Sequence, residues 1–416
     1  MVLERKGAGA LLVFTILFLL SGCGLLAFKD GALNADVLAL GAGATLLELL
    51  AYNLMAIIFR HVDRITLVIC LFLVSVGLVM LSRLNMEEAV QQLIWLSIGC
   101  AALFIAVAVI KSSHNFGKLN YVFMALSLGL LVFTFLFASP VGGAKNWVKL
   151  GPVSFQPSEI AKVLFIIASA YFFAEKRKRF ASAVYAVYVG LCVIVLVLSN
   201  DLGGALLFAG TFLVMFFAGT GRTLLTLAGL GVAGAGAVAS YFIIPHVKAR
   251  VVLWQDPWAH YTTKGYQIVQ GLIAIAAGGA FGAGLGLGYP EVVPVNASDF
   301  IFAALCEEFG IIFGIIIILL YLAFIIRGML IAMNASSRFH ALLVFGATCM
   351  LSLQCFIIIG GVIKLIPLTG ITLPFVSAGG SSLIACFCLV GMIEGVAVKN
   401  GERDERKITA AGGEVL

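Results

Sequence analysis

The sequence predicts an all-α polytopic membrane protein, and three observations carry that reading. The chain has 416 residues, 62% of them hydrophobic and only 11% charged. A soluble domain carries about 25% charged and 45–50% apolar residues, so a globule of this length could not hide so much apolar surface. The mean hydropathy of +1.13 excludes disorder, which needs low hydrophobicity. The apolar runs are long and continuous, unlike the roughly ten-residue alternating strands of an outer-membrane barrel.

A spanning helix needs about 20 mostly apolar residues. Twelve stretches meet that requirement, at about 8–28, 37–59, 65–82, 88–110, 119–138, 159–174, 182–199, 202–219, 223–244, 300–326, 340–363 and 377–398. The sixth is short and polar at its start. Arg5 and Lys6 ahead of an apolar run resemble a signal peptide, and Leu20-Ser21-Gly22-Cys23 resembles a lipoprotein cleavage box. The run continues through Leu25-Leu26-Ala27-Phe28, as in a retained helix, so the first stretch is read as a span.

Basic residues orient the bundle, since they favour cytoplasmic loops. One set of alternate connections holds Arg5, Lys6, Arg60, Arg64, Lys111, Lys118, the run at 176–179, Arg222, Arg327, Arg338, Lys399, Arg403, Arg406 and Lys407. The other holds only Lys29, Arg83, Lys145, Lys149, Lys248, Arg250 and Lys264. Both termini are therefore expected in the cytoplasm, with segments 139–158, 245–299 and 364–376 together on the outer face. The run at 176–179 reads as a topology anchor. The tail, 399–416, is polar and is expected to be disordered. The nine cysteines lie in or near apolar runs without a CxxC pair, so they read as buried small hydrophobes rather than ligands or disulfides.

Ionisable groups at membrane depth are expensive and point to function. Gln156-Pro157-Ser158-Glu159 opens the sixth span, with Pro157 suited to the first helical turn and Glu159 to the helix dipole. Glu159 and Lys162 stand i,i+3 on one face, where they form an ion pair or bind a head group. Trp147 reads as an interfacial anchor. Asp201, in Asn200-Asp201-Leu202-Gly203-Gly204, reads as an N-cap or as a substrate contact. Segment 245–299 holds Arg250, Gln267 and the glycines 278, 279, 282, 284, 286 and 288, which permit close backbone approach to a ligand. Its apolar part, 268–280, lies in the interface or re-enters the membrane. Asp299 ends the segment where an apolar span begins, and it reads as an N-cap, a general base or a metal ligand. On a helix Glu307 would stand about 80° from Asp299, with Glu308 opposite. Last, the Pro/Gly/Ser/Thr-rich stretch at 367–382 can stay non-helical only where it is buried in protein or lines a wet cavity.

Five segments in this order, GAKNWVKLGPVSFQPSEIAK, NDLGGALL, DPW with GYQIVQGLIAI, SDFIFAALCEEFG and PLTGITLPFVSAGGSS, resemble the successive signatures of the SEDS family (FtsW, RodA, SpoVE) over roughly residues 65–398. The resemblance implies a ten-helix core at 61–398 with a large extracytoplasmic loop at 245–299, two additional N-terminal helices at 1–60 and a cytoplasmic tail at 399–416. It implies a multi-pass protein of the bacterial cytoplasmic membrane that polymerises lipid II into β-1,4 glycan, with inversion and release of undecaprenyl pyrophosphate. Asp299 matches the family's essential aspartate. Lys145, Lys162 and Arg250 are candidates for pyrophosphate contact, with Gln156, Glu159, Asp201 and Gln267 also candidates for the substrate. A divalent cation, Mg²⁺ or Mn²⁺, is expected, with Asp299 or Glu159 as its ligand. The implied partners are lipid II and a class B penicillin-binding protein, not nucleic acid. A lipid II flippase is the competing reading, although its carboxylates would sit nearer mid-bilayer. The chain departs from the family at Ala297-Ser298 (for His-Thr), Asn200 (for Pro), Ala378 (for Tyr) and Lys145-Asn146 (for Arg-Arg), so a His–Asp relay is not expected.

Overall fold

A computed structural model describes residues 2–28, 33–112, 119–141, 144–150, 153–175 and 179–410. Of the expected anchor at 176–179, residues 176–178 lie outside the described residues, as does the tail's end, 411–416. The helices are α1 (Val2–Ala27), α2 (Ala35–Ile58), α3 (Arg64–Leu84), α4 (Met86–Ser112), α5 (Asn120–Phe137), α6 (Pro157–Ala174), α7 (Arg179–Leu198), α8 (Leu202–Thr220), α9 (Thr223–Ile243), α10 (Pro245–Gln255), α11 (Tyr266–Gly278), α12 (Ile301–Met333), α13 (Arg338–Val362) and α14 (Gly380–Ala410). Among the described residues, eleven of them are long and apolar enough to span a membrane. The seventh expected span is α7, whose continuous apolar part is Val184–Leu198.

Local chemistry starts these helices where the sequence indicates. Asn34 caps α2 by accepting from the amides of Asp36 and Val37, and Asp63 caps α3 through Ile65 and Thr66. Pro157 opens α6, and Ser337 caps α13. The α8–α9 turn needs a left-handed residue, which Gly221 supplies at φ +66°.

The helices α3 and α14 form the centre. In their apolar windows 89% of residues are buried, against none in α9, which packs on α8 and α10 at the periphery. Small residues permit the closest crossings. Gly391 and Gly395 of α14 lie on Leu103, Ala106, Val107 and Ile110 of α4, so a methyl group at either would collide with that helix. The N-terminal pair is bound to this centre. Gly22 of α1 packs on Val79 of α3, Phe18 stacks with Phe313 of α12, and the fully buried Glu48 of α2 accepts from Ser75 Oγ at 2.8 Å.

One expectation from the sequence, the disordered tail, is corrected, and two outer segments carry secondary structure. In segment 139–158, β1 (Ser139–Val141), β2 (Ala144–Leu150) and β3 (Val153–Phe155) form an antiparallel sheet in that order. The sheet is fixed to the α7–α8 turn by Lys145 N donating to Ser199 O at 2.9 Å. The polar tail is helical through Ala410, held by ion pairs from Lys111 to Glu402 (2.6 Å) and His61 to Glu405 (2.8 Å) and by Arg403 donating to Asn334 O (3.1 Å). Partners at three separate connections give a water-facing helix the tertiary support that its composition does not reveal.

The second outer segment, 245–299, contains α10, α11 and the glycine-rich turn. That turn wraps the start of α12 rather than a ligand. Gly282 approaches Glu308 so closely that a Cβ would strike the glutamate's carbonyl oxygen. Gly286 N donates to Glu308 Oε2 (3.1 Å), and Tyr289 N to Glu307 Oε1 (2.9 Å). From α3, Arg83 reaches across to Glu308 (3.0 Å), Glu291 (2.5 Å) and Gly288 O (3.1 Å). At Gly310 (φ +86°) α12 breaks, and the amides of Ile311 and Ile312 bond Gly279 O and Ala280 O instead of their own helix. Residues 311–333 alone rise about 34 Å, enough to cross a hydrocarbon core of about 30 Å. The first turns of α12 thus project past the membrane-crossing part, beside α11.

Candidate active site

The β sheet, α10, α11 and the 364–379 segment meet the ends of α6, α8 and α12 around one chamber of about 780 Å³. Six sequence-predicted residues line it together with Asp299: Gln156, Glu159 and Lys162 from α6 and its cap, Asp201 from the α8 cap, Arg250 from α10 and Gln267 from α11. Lys145 does not join them. Its side chain is exposed at the start of β2, and the adjacent Asn146 and Trp147 line the wall. The expected interfacial Trp147 is thus a chamber residue.

Each charged side chain is held by a definable contact. Lys162 Nζ lies 2.6 Å from Glu159 Oε2 and donates to Gln354 Oε1 of α13 at 3.1 Å. Asp201 caps α8 by accepting from Gly204 N at 2.8 Å and also lines the chamber. Arg250 is pinned by Nη1 donating to Leu368 O (3.0 Å) and Nε donating to His246 Nε2 (3.2 Å). Asp299 is half-buried and does not cap α12, whose N-cap residue is Phe300 with no side-chain bond. Instead its carboxylate accepts from Ser298 Oγ at 3.3 Å, and the Ser298 carbonyl accepts from Ser377 Oγ at 2.7 Å.

Between Asp299 and Arg250 stands Gly370. Its φ of +74° suits glycine, and a Cβ there would lie 3.5 Å from Asp299 Oδ2 and 3.8 Å from Arg250 Nη2. The missing side chain leaves carboxylate and guanidinium open to the same volume.

Burial sets the electrostatics. It pushes the Asp299 carboxyl up to about 6, against a smaller downward pull from Ser298 and Arg250. It lowers Arg250, with Asp299 and Asp201 opposing, and it raises Asp201 against the Gly204 bond. His246 is lowered by burial and then by Arg250, and because a guanidinium only donates, its Nε2 accepts the Arg250 bond. A carboxylate that titrates near neutrality, open to a cavity and beside a fixed guanidinium, suits proton abstraction next to an anionic leaving group.

Among the described residues, no three His, Cys, Asp or Glu side chains converge as a metal cage. Glu159 is occupied by the Lys162 ammonium. Asp299, with its open side at Gly370, fits the one-carboxylate, phosphate-supported binding typical of Mg²⁺.

Sequence reasoning missed His246 and Gln354, and it named Lys264 and Gly370 only as part of the outward segments and not as site residues. His246 and Arg250 at i,i+4 carried a usable signal once α10 is a helix. Gln354 carried none, because it lies inside an apolar run far from its partners in the chain.

These features define a polytopic membrane protein with a chamber lined by both cationic and acidic side chains at one end of its bundle. The family profile described as "Cell cycle protein" (FtsW/RodA/SpoVE) matches residues 52–402, and the chain belongs to this family. It is 36% identical over 392 residues to peptidoglycan glycosyltransferase RodA of Mycobacterium tuberculosis, covering 86% of this chain and 83% of that one. It is 32% identical over 356 residues to stage V sporulation protein E of Bacillus subtilis, covering 80% and 96%. A solved structure described as "Structural coordination of polymerization and crosslinking by a peptidoglycan synthase complex" matches at a TM-score of 0.70 and 26% identity, over 82% of this chain and 98% of that one. The crystal structure of the rod shape determining protein RodA of Thermus thermophilus shares the fold, with a TM-score of 0.61 and 24% identity over 81% and 96%.

Proposed function

We propose that the chain is a peptidoglycan glycosyltransferase that polymerises lipid II, with Asp299 as the general base. The observation that carries the base assignment is the Asp299–Gly370–Arg250 arrangement: a carboxylate titrating near 6 and a pinned guanidinium, both facing a gap. The C4 hydroxyl of one lipid II GlcNAc attacks the anomeric carbon of the MurNAc on the growing strand. Asp299 takes the hydroxyl proton as the C4–O bond to that carbon forms. The bond from the anomeric carbon to the phosphate oxygen breaks, and undecaprenyl pyrophosphate departs with the electron pair. Attack from the opposite face inverts the centre and gives β-1,4 glycan. Arg250 and Lys162 stabilise the charge that develops on the pyrophosphate, while Gln156, Glu159, Asp201 and Gln267 orient the sugars. A divalent cation held by Asp299 and the substrate phosphates would add charge neutralisation at the pyrophosphate.

In this reading the protein lies in the bacterial cytoplasmic membrane with the chamber outward and both termini cytoplasmic. Residues 61–398 form the family core and the α1–α2 pair is an addition. A class B penicillin-binding protein is the partner that crosslinks the product, in keeping with the synthase complex to which the fold is similar. The test combines the purified chain with such a transpeptidase, lipid II and Mg²⁺ or Mn²⁺. Glycan strands from the wild type and none from Asp299→Ala are expected. Lipid II crossing between vesicle leaflets without polymer would refute the polymerase, and undiminished polymer from the variant would refute the base.

A further inference from the structure

Lys162 sits 4% exposed between two acceptors, Glu159 Oε2 at 2.6 Å on its own helix and Gln354 Oε1 at 3.1 Å on α13. Glu159 alone would draw the ammonium along the α6 surface. Gln354 draws it toward α13 by accepting one of its hydrogen bonds, and Lys162 still lines the chamber. The orientation of the Gln354 amide is fixed by chemistry, because an ammonium only donates and a backbone carbonyl only accepts. Its oxygen therefore faces Lys162, and its nitrogen donates to Thr372 O at 2.9 Å. Thr372 Oγ1 in turn donates to Ser382 Oγ at 2.7 Å. Thr372 belongs to the segment whose Leu368 carbonyl pins Arg250 and whose Gly370 opens onto Asp299. One buried amide, 1% exposed, thus ties the α6 cation to the wall that sets the α10 cation and borders the base.

We propose that Gln354 is a positioning residue that aims Lys162 at the pyrophosphate of the lipid-linked substrate and holds it in register with Arg250. The proposal rests on the reading of the chain as a lipid II polymerase. It acts through Lys162, so its signature is coupling rather than size of effect.

The experiment compares the wild type, Gln354→Leu, Lys162→Met and the double variant, each as full chain with its transpeptidase. It reads kcat and KM for lipid II, binding of undecaprenyl pyrophosphate, and melting temperature. Gln354→Leu should lose roughly tenfold in kcat/KM, mostly as a rise in KM, and should bind the pyrophosphate lipid more weakly. Lys162→Met should lose more, and the double variant should match Lys162→Met within about twofold, since contacting residues that act as one unit are not additive. Losses that multiply would overturn the proposal. Gln354→Glu covers the case in which the leucine variant does not fold. It keeps an acceptor for Lys162 but adds a negative charge beside it and loses the donor to Thr372 O, so its folded fraction should bind undecaprenyl pyrophosphate more weakly. Undiminished binding by that variant would overturn the proposal even if polymerisation fell. Coupled losses in binding, with no polymer from the wild type, would refute the polymerase reading and leave Gln354 as the aiming residue of a pyrophosphate-lipid site.

Discussion

Asp299 and the pair Glu307–Glu308 lie within a few turns of one another, yet their surroundings differ in kind. Both glutamates are closed in by protein donors. Glu308 has no side-chain exposure and receives Arg83 and Gly286 N, while Glu307 receives Tyr289 N. Asp299 receives one long hydroxyl bond from Ser298, and it faces a gap kept open by a glycine. Carboxylates of the same charge thus serve different ends. Donors from the backbone turn one set into a clamp on α12, and the shortage of them leaves the other available for chemistry.

That contrast is sharpest at Asp299→Asn. Removing the base should lower lipid II polymerisation by about a thousandfold, within the range of general-base catalysis. Burial raises the Asp299 pKa, so the charged form costs stability at neutral pH. The neutral asparagine variant should therefore melt no lower than the wild type. A lower melting temperature would make Asp299 structural, like the glutamates.

The reverse pattern is expected at Glu308→Ala. It removes the buried acceptor of Arg83 and of the Gly286 amide, leaving Arg83 only Glu291 and the Gly288 carbonyl, and breaking a buried ion pair costs about 3–5 kcal/mol. Thermal unfolding should report the loss, and the surviving folded fraction should bind undecaprenyl pyrophosphate as the wild type does. Weakened binding in that fraction would place the clamp inside the chemistry.

The pH profile gives a smaller effect with a definite sign. A base must be ionised, so polymerisation should fall as pH drops through about 6. Arg250 favours the ionised form of Asp299, so Arg250→Gln should move that acidic limb to higher pH as well as lower the rate roughly tenfold. A limb that stays in place would separate Arg250 from the base. The smallest effect is expected at Gly370→Ala. The positive φ costs about 1 kcal/mol in stability, and the methyl group entering the gap should lower the rate severalfold. Full activity in this variant would show that the substrate does not use the gap.

The legibility of the two regions differed for a physical reason. Asp299 stands out because charge is scarce in this chain and it falls at the junction of a polar segment and a span. Glu159 and Lys162 are readable from i,i+3 spacing just after a proline. The glutamate clamp is not readable, because its arginine lies 225 positions from Glu308 and its other donors are backbone amides, which leave no mark on sequence. The same holds for the glycines at 282–288. Their freedom to approach something closely was evident, but that they approach Glu308 depends on where α12 stands. The helical tail was obscured likewise, since its composition suits water equally well with or without a partner surface. Gln354 belongs to this group, as an amide whose partners sit on α6 and a distant turn.

The break at Gly310 bears on how the protein is assembled. Residues 311–333 can insert into the bilayer without help, but the amides of Ile311 and Ile312 depend on carbonyls of a segment synthesised earlier and folded outside the hydrocarbon. Until that segment docks, two donors lie without protein acceptors at the rim of the membrane, and Asp299 has no fixed position. Hydrogen–deuterium exchange at these two amides therefore reads whether the glycine-rich turn has docked on α12.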